Sequence, residues 1–462
     1  MIPASDKLRP RKFWQVWGLV IVTALVVWAA GAAAGHAEEP AEQASSASIT
    51  APGGITLEQA VRAALTHNQP FLISQENVTQ LVQQRREAFS ALLPSLTFDA
   101  NASRRPKSVL VPNSTNILRA EEEYNYSLTL TQPLFAGGKG VNGLQFTSTQ
   151  LHAGEQAMSQ SREDLLLSVA QAYYGVLKAS KQVELFEAER KRLEEHRRAA
   201  DARVRVGDAT KTVLLRAEAE LAGAAASLIR ARSDEAIARD QLAKLTGLSA
   251  DSQLETPLPP AAPSALSDAL IHDAHAQRPE LLRSQLSEQA ALQNVRVARS
   301  GLFPSLWLDL VYDVGHQNPD AGFGTEEADK YAMLRLTFPF FEGGLQIAKI
   351  QQARSQWRSA MFDTQYVKET VDTEVRTALR EVEALTGSIE QFTAQVRFAK
   401  ENYELTSRQF AVGLATNIDL LDANSTLLSA EQQLATGTFD RDLAVLQLYK
   451  SVGRLTGYLL NE

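Results

Sequence analysis

The sequence predicts a mainly α-helical, internally duplicated chain with a small β part, four strands that close into a barrel only with strands of other copies. Three observations carry that expectation. Short motifs recur in the same order at offsets of 206–210 residues, two proline-free stretches close to 67 residues follow Gly-Gly pairs, and two pairs of segments alternate apolar with polar residues.

The duplication is the most specific of these. LEQAVRAALTHNQP, ending at Pro70, matches LSDALIHDAHAQRP, ending at Pro279. ALLPSL from Ala91 matches GLFPSL from Gly301, and QPLFAGG from Gln132 matches FPFFEGG from Phe338. VGDAT from Val206 matches VGLAT from Val412, and Leu245-Thr246-Gly247 matches Leu455-Thr456-Gly457. Repeats of this kind mark an architecture built from one supersecondary unit used twice.

Each copy is expected to begin with a short helix ending near the proline. A second helix follows, over about 71–92 or 280–302, stopped by Pro94 or Pro304 because proline cannot continue the hydrogen-bond ladder. Strands come next. Leu96, Phe98, Ala100 and Ala102 alternate with Thr97, Asp99, Asn101 and Ser103, and Tyr124, Tyr126, Leu128 and Leu130 with Asn125, Ser127, Thr129 and Thr131. In the second copy Leu306, Leu308, Leu310 and Tyr312 line one strand, and Ala332, Leu334, Leu336 and Phe338 another. Period-two alternation with aromatics near the ends is the pattern of a transmembrane β-barrel. The intervening loops, about 105–123 and 315–329, are short.

The Gly-Gly pairs then release the chain into helices over Lys139–Arg205 and Leu345–Ala411. At ~1.5 Å per residue each would be roughly 100 Å long, far beyond a globular helix. Each ends at a Val-Gly, where glycine supports a left-handed cap, and a returning helix follows and closes at Leu-Thr-Gly. A four-stranded sheet in lipid has two unpaired edges, so strands of other chains must complete it. Three chains supply twelve strands, enough for an open lumen.

The N-terminus reads as a signal peptide over 1–37. Lys7, Arg9, Arg11 and Lys12 precede an apolar run to Ala34, and Gly35-His36-Ala37 is a small-x-small cleavage pattern. A polar linker (38–54), a first repeat (55–250), a proline-rich linker (251–263), a second repeat (264–457) and a short tail (458–462) follow. Loss of the signal peptide's four bases and one acid takes the formal charge from -8 to -11, which argues against nucleic-acid binding. Cysteine is absent, so disulfides, thiol chemistry and a cysteine lipid anchor are excluded. His272 and His275 share a helical face without an evident third ligand, and no nucleophile–base set is present, so neither a metal site nor an enzyme is expected. The rival reading is a periplasmic coiled-coil adaptor or scaffold held by an uncleaved N-terminal helix, which would need no alternating strands.

With the duplication, the LPSL and QPLF-x-GG junctions, both Val-Gly turns and the stretch Val412 to Ala423, the chain resembles the TolC-type outer-membrane efflux family over essentially its whole mature length. The resemblance implies a homotrimer in the Gram-negative outer membrane, with a β-barrel in lipid, a long periplasmic α-barrel and an equatorial collar. It implies a channel without cofactor that serves drug efflux or type I secretion. Its partners would be a periplasmic adaptor (a membrane fusion protein) and an inner-membrane pump of RND, ABC or MFS type. Adaptor docking would fall on Val206, Gly207, Val412, Gly413 and Leu414. Paired aspartates lining the constricted entrance fall on Asp419 and Asp422, whose i,i+3 spacing gives stacked carboxylate rings in a trimer. Thr416-x-x-Asp419 also fits a capping box, which would account for Asp419 but not Asp422. The sequence departs from the family at the gate. An acid and an arginine that link the two copies there are replaced by Val213 and Ala415, leaving Lys211 and Arg216 as candidate partners of Asp419 or Asp422.

Overall fold

The computed structural model describes residues 54–104, 106, 109–110, 117–119, 122–263, 267–316 and 328–460. The expected signal peptide, nearly all of the polar linker and much of both inter-strand loops lie outside these residues.

Two segments of equal plan follow one another. Helix α1 (Leu57–His67) and α2 (Gln69–Ser90) lead into strand β1 (Ser95–Arg104), the small strands β2 (Val109–Leu110) and β3 (Ile117–Arg119), and the long β4 (Glu122–Ala136). Helices α3 (Lys139–Arg205) and α4 (Lys211–Thr246) complete the first segment. The second comprises α5 (Ser267–Gln277), α6 (Pro279–Ser300), β5 (Ser305–His316), β6 (Ala328–Thr337), α7 (Leu345–Ala411) and α8 (Asn417–Val452), with α9 (Leu455–Leu460) added at the end. Corresponding helices have identical lengths of 11, 22, 67 and 36 residues.

Local chemistry explains most boundaries. Thr56 and Gln59 form a capping box that starts α1. Asn68 caps α2 through the Phe71 amide, and Pro70 sits in its first turn, where a missing N–H costs nothing. Both 22-residue helices stop at serine, earlier than the 71–92 and 280–302 read from the sequence, because proline also disfavours helical geometry in the residue before it. The final turns tighten instead, with Leu92 N–H donating to Phe89 O and Leu302 N–H to Arg299 O.

One sequence expectation is corrected. In the first segment Gly247 (φ +72°) caps α4 directly after Leu245-Thr246. In the second, α8 ends at Val452 and is capped by Gly453 (φ +80°), four residues before the glycine of the matching tripeptide, and Leu455-Thr456-Gly457 opens the extra helix α9. The helices repeat at 206 residues and the tripeptides at 210, so the motif match is one helical turn out of step with the structure. The slip gives α9 its own work. Glu163 of α3 is buried and accepts from the Thr456 amide (3.1 Å) and hydroxyl (2.8 Å), while burial pushes its carboxyl above the usual range.

The sheet has the antiparallel order β1-β4-β5-β6. The loop between β1 and β4, read as polar loop, contains a small ribbon of β2 and β3. A register shift between Pro133 and Phe135 of β4 marks a bulge, where proline is tolerated. Leu96, Phe98, Leu128, Leu310, Tyr312, Leu334 and Leu336 stand exposed on one face. The other carries Thr97, Asp99, Thr129, Thr131, Asp309 and Arg335 among others, in rows that follow the register. Asp309 is buried on that polar face, accepting from Thr131 Oγ1 (2.9 Å) and pairing with Arg335 (3.2 Å). Strands β1 and β6 each have one unpaired side.

The long helices arise straight from the sheet. Gly137 and Gly138 adopt φ +61° and +81°, and a Cβ at Gly137 would lie 2.4 Å from Ser300 O, so only glycine fits there. Near the sheet α3 packs between α2 and α6; further along it packs against α4 and α8, while α7 packs against α6 and then α8. The principal core lies where α1, α9 and the ends of α4 and α8 meet α3 around Leu166, Val169, Ala170, Tyr173 and Tyr174. A second core joins α5 to α7 and α8 through Leu270, Ala274, Val371, Val375 and Leu448. The Tyr173 hydroxyl shares its proton between Ile55 O (2.7 Å) and Glu255 O (2.5 Å), tying both linkers to α3.

Candidate functional site: the turn tips of the two helical hairpins

Helices α3 and α4 are joined by Val206–Thr210, and α7 and α8 by Val412–Thr416. Both turns are built alike. Gly207 (φ +80°) and Gly413 (φ +81°) take the left-handed conformation, and nothing stands within 4 Å of a Cβ placed on either. Asp208 N–H donates to Arg203 O (2.9 Å) and Leu414 N–H to Gln409 O (2.8 Å), the long bond of a Schellman cap. Val206, Val412 and Leu414 are 80%, 71% and 81% exposed, so each tip presents apolar side chains to its surroundings. A lone exposed valine is ordinary; three at two matching turns form an unpartnered apolar end.

The returning helices differ at their starts. Thr416 and Asp419 form a full capping box. The Asp419 carboxylate accepts from the Thr416 amide (2.8 Å) and hydroxyl (2.6 Å), and the hydroxyl accepts from Asp419 N–H (3.2 Å). These bonds hold the Asp419 carboxyl below its usual range, so it stays ionised. In the first turn Thr210 makes no side-chain cap bond, the Val213 N–H going to Thr210 O (3.0 Å), and Val213 at N3 has no side-chain acceptor to return to the Thr210 amide. Asp422 is exposed one turn along from Asp419. Lys211 and Arg216 are exposed on α4, and among the described residues neither makes an ion pair within the chain.

A contact set that sequence reasoning missed lies beside the second turn. Arg203, near the end of α3, donates through Nη2 to Phe410 O (2.5 Å) and Ala411 O (3.1 Å), and its guanidinium lies 4.5 Å from the centre of the Phe410 ring. His196 is buried against the same ring (centroids 5.1 Å apart), with Nε2 2.6 Å from Asn417 Oδ1. Arg192 Nε donates to Asn424 Oδ1 (2.9 Å) and pairs with Glu431 (3.6 Å). The signal was available as a stripe on α3 with spacings of four and seven residues. It was hidden inside a charged run that resembles a solvated face.

His272 and His275, which share a helical face of α5, are not expected to hold a metal. His275 Nε2 lies 2.6 Å from Asp372 Oδ1, and no cluster suited to a metal ion occurs among the described residues.

A long-helix hairpin fold carrying a four-stranded, two-faced sheet is the fold of solved outer-membrane channels. Residues 60–248 and 270–454 match the family described as outer membrane efflux protein, and the chain belongs to that family. It is 29% identical over 420 residues to the outer membrane protein TolC of Vibrio cholerae, covering 87% of this chain and 93% of that one. The alkaline protease secretion protein AprF of Pseudomonas aeruginosa is 26% identical over 372 residues, covering 78% and 76%. Among solved structures, the CmeC outer membrane channel of Campylobacter jejuni superimposes with a TM-score of 0.78 at 20% identity, covering 86% of both chains. The open state of the Neisseria gonorrhoeae MtrE channel gives 0.74 at 23%, covering 86% of this chain and 89% of its own.

Proposed function

We propose that three copies of this chain form the outer-membrane channel of a tripartite efflux or secretion system, passing substrate from an inner-membrane pump to the exterior. The observation that carries this reading is the sheet with two open edges and one apolar face. In lipid every strand edge must be paired, and β1 of one copy against β6 of the next closes a twelve-stranded barrel. The α3–α4 and α7–α8 hairpins then extend the pore through the periplasm, each chain being two repeats bounded near 55–250 and 264–457 after removal of 1–37.

At the far end the exposed turns at Val206, Gly207, Val412, Gly413 and Leu414 meet a periplasmic adaptor. Asp419 and Asp422 ring the entrance, Asp419 keeping its charge through its cap. Lys211 and Arg216, exposed and without an ion pair in the chain among the described residues, are the candidate gate partners of Asp419 or Asp422. Relatives are named for alkaline-protease secretion and for toluene efflux, so this fold serves unlike cargoes and the pump sets the choice.

Planar-bilayer recording of the purified trimer tests the reading. A cation-selective current is expected, with the reversal potential in a salt gradient moving toward zero in the Asp419→Asn, Asp422→Asn double variant. Asparagine keeps a cap acceptor, so a lost charge is separated from a lost helix start. A stable trimer that passes no current sinks the pore, and an unmoved reversal potential removes the two aspartates from it.

A further inference from the structure

Helices α6 and α8 meet end to end in the groove between α3 and α7. Each of the two long helices packs against α6 over one part of its length and against α8 over another. Gly453, just past α8, lies so close to the α5–α6 link that a Cβ there would stand 2.9 Å from the Gln277 carbonyl carbon. Two helix ends do not fill the groove as one continuous helix would. Where they meet is a cavity of about 600 Å³, bounded by α3, the start of α6, α7 and the last turns of α8. That is the size of a site for a small organic molecule.

The cavity is apolar in part and acidic in balance. Leu167, Ala378 and Ala444 give it hydrocarbon walls. Its ionisable groups are the carboxylates of Glu163, Asp164, Glu280, Glu374 and Glu381 against the cations of Arg278 and Lys450. Lys450 is taken by Asp164 (2.5 Å) and Arg278 by Glu280 (3.0 Å) and Glu374, which leaves Glu163 and Glu381 without an ion pair among the described residues.

Three buried polar atoms of the lining side chains have no hydrogen-bond partner among the described residues: Gln160 Oε1, Glu163 Oε2 and Arg278 Nη1. Glu163 and Arg278 are only 6% and 8% exposed, so neither reaches bulk water. Their other ends are already engaged. Glu163 Oε1 accepts from Thr456, and Arg278 Nη2 donates to Glu280 and Glu374. Gln160 and Glu163 are three residues apart on α3, so they share one helical face. Buried polar atoms left unpaired are costly, and three around one cavity call for an occupant that pairs them. Two acceptors and a surplus of acid suit a cation with N–H donors; the guanidinium suits an acceptor on the same molecule. The helix ends add the same polarity, negative at the end of α8 and positive at the start of α6, where Arg278 is the N-cap.

We infer that this cavity is a binding site for an amphipathic organic amine. Its ammonium donates to Gln160 Oε1 and Glu163 Oε2, and Arg278 Nη1 donates to a carbonyl or sulfonyl oxygen of the same molecule. Its hydrocarbon part lies on Leu167, Ala378 and Ala444. Every group comes from one copy, so the site stands whether or not three copies form a pore.

Fluorescence titration of the purified full-length protein with dansylcadaverine, which joins an ammonium, a sulfonyl group and an aromatic body, tests the site. Dansylamide, which lacks the ammonium, is the comparison. Saturable binding of dansylcadaverine beyond the signal of detergent micelles is expected, with dansylamide about tenfold weaker. Glu163→Gln keeps an acceptor for Thr456 and is expected to weaken dansylcadaverine about tenfold while leaving dansylamide unchanged. Thr377→Trp, at an exposed position on the cavity, is expected to abolish binding of both dyes by filling it. Unchanged thermal melting shows that each variant has folded; if Glu163→Gln melts early, Gln160→Leu carries the same comparison with a severalfold loss. Equal affinity for the two dyes, or wild-type affinity in either a folded charge variant or Thr377→Trp, overturns the site. So does the absence of saturable binding to the wild type, which would assign the cavity to water alone. A protein that conducts ions in a bilayer but binds no dye loses the site and keeps the pore.

Discussion

His196 shows how one side chain records its surroundings. Burial lowers its proton affinity, the bond to Asn417 works against that, and the charge of Arg203 on the same helix lowers it further. The nearest groups on the neighbouring helices, Phe410 of α7 and Asn417 of α8, carry no charge. Because the unfolded imidazole binds its proton at higher pH than the folded one, stability is intact above the ordinary histidine range. It falls as pH drops through that range. Thermal unfolding should therefore lose more stability on mild acidification in the wild type than in His196→Gln. Equal losses would show that the imidazole does not titrate across this transition. Tyr173 has a simpler role. Burial pushes its phenol up to about 12, so it remains a donor, and two linker carbonyls depend on it. Tyr173→Phe should cost about 1–3 kcal/mol, the usual penalty for buried groups left without partners, read as a lower denaturation midpoint. Neither role was legible in the sequence, since both partners lie more than 80 residues away along the chain.

Among the elements, the long helices were the most legible. Glycine pairs at the start, Val-Gly at the end and the absence of proline between them mark α3 and α7, and the observed bounds are Lys139–Arg205 and Leu345–Ala411. The ends of α2, α6 and α8 were less so. There the deciding interactions are the restriction that proline imposes on its predecessor and a glycine outside the repeated tripeptide. Capping separates the two returning helices. Thr416→Ala removes a hydroxyl that makes two bonds and should cost about 1 kcal/mol; Thr210→Ala, whose hydroxyl makes no cap bond, should cost almost nothing. Chemical denaturation of the two variants side by side checks the difference. The turns themselves make a different prediction. Valine at Gly207 or Gly413 opposes a positive φ in open space, so the damage should stay local. Trimers should still reach the membrane while dye efflux falls, and normal efflux would remove the docking role of the tips.

At the scale of the molecule, a single copy leaves two kinds of edge open. One is the backbone of β1 and β6. The other is apolar: Met361, Phe362, Tyr366, Phe398 and Leu405 stand exposed on one face of α7, and Leu215, Ile229 and Ile237 on one face of α4. In the packing order these helices lie at opposite flanks of the chain, so a ring brings α7 of one copy to α4 of the next. Phe362→Asp with Tyr366→Asp should abolish heat-resistant trimers, whereas Asp422→Asn should leave them intact, which gel mobility after mild heating distinguishes. The four strands of the main sheet were readable from period-two alternation, the β2–β3 ribbon was not, and the need for partner chains followed from the fact that four strands cannot close. Attachment at the tips was not, because it depends on which of many arginines meets which helix end. That attachment has a consequence for the ring. Six hairpins suggest a hexagonal aperture, yet within each chain the second hairpin is tied to the first through Arg192, His196 and Arg203. A ring of three such chains would be three tied pairs of hairpins, threefold rather than sixfold at its mouth.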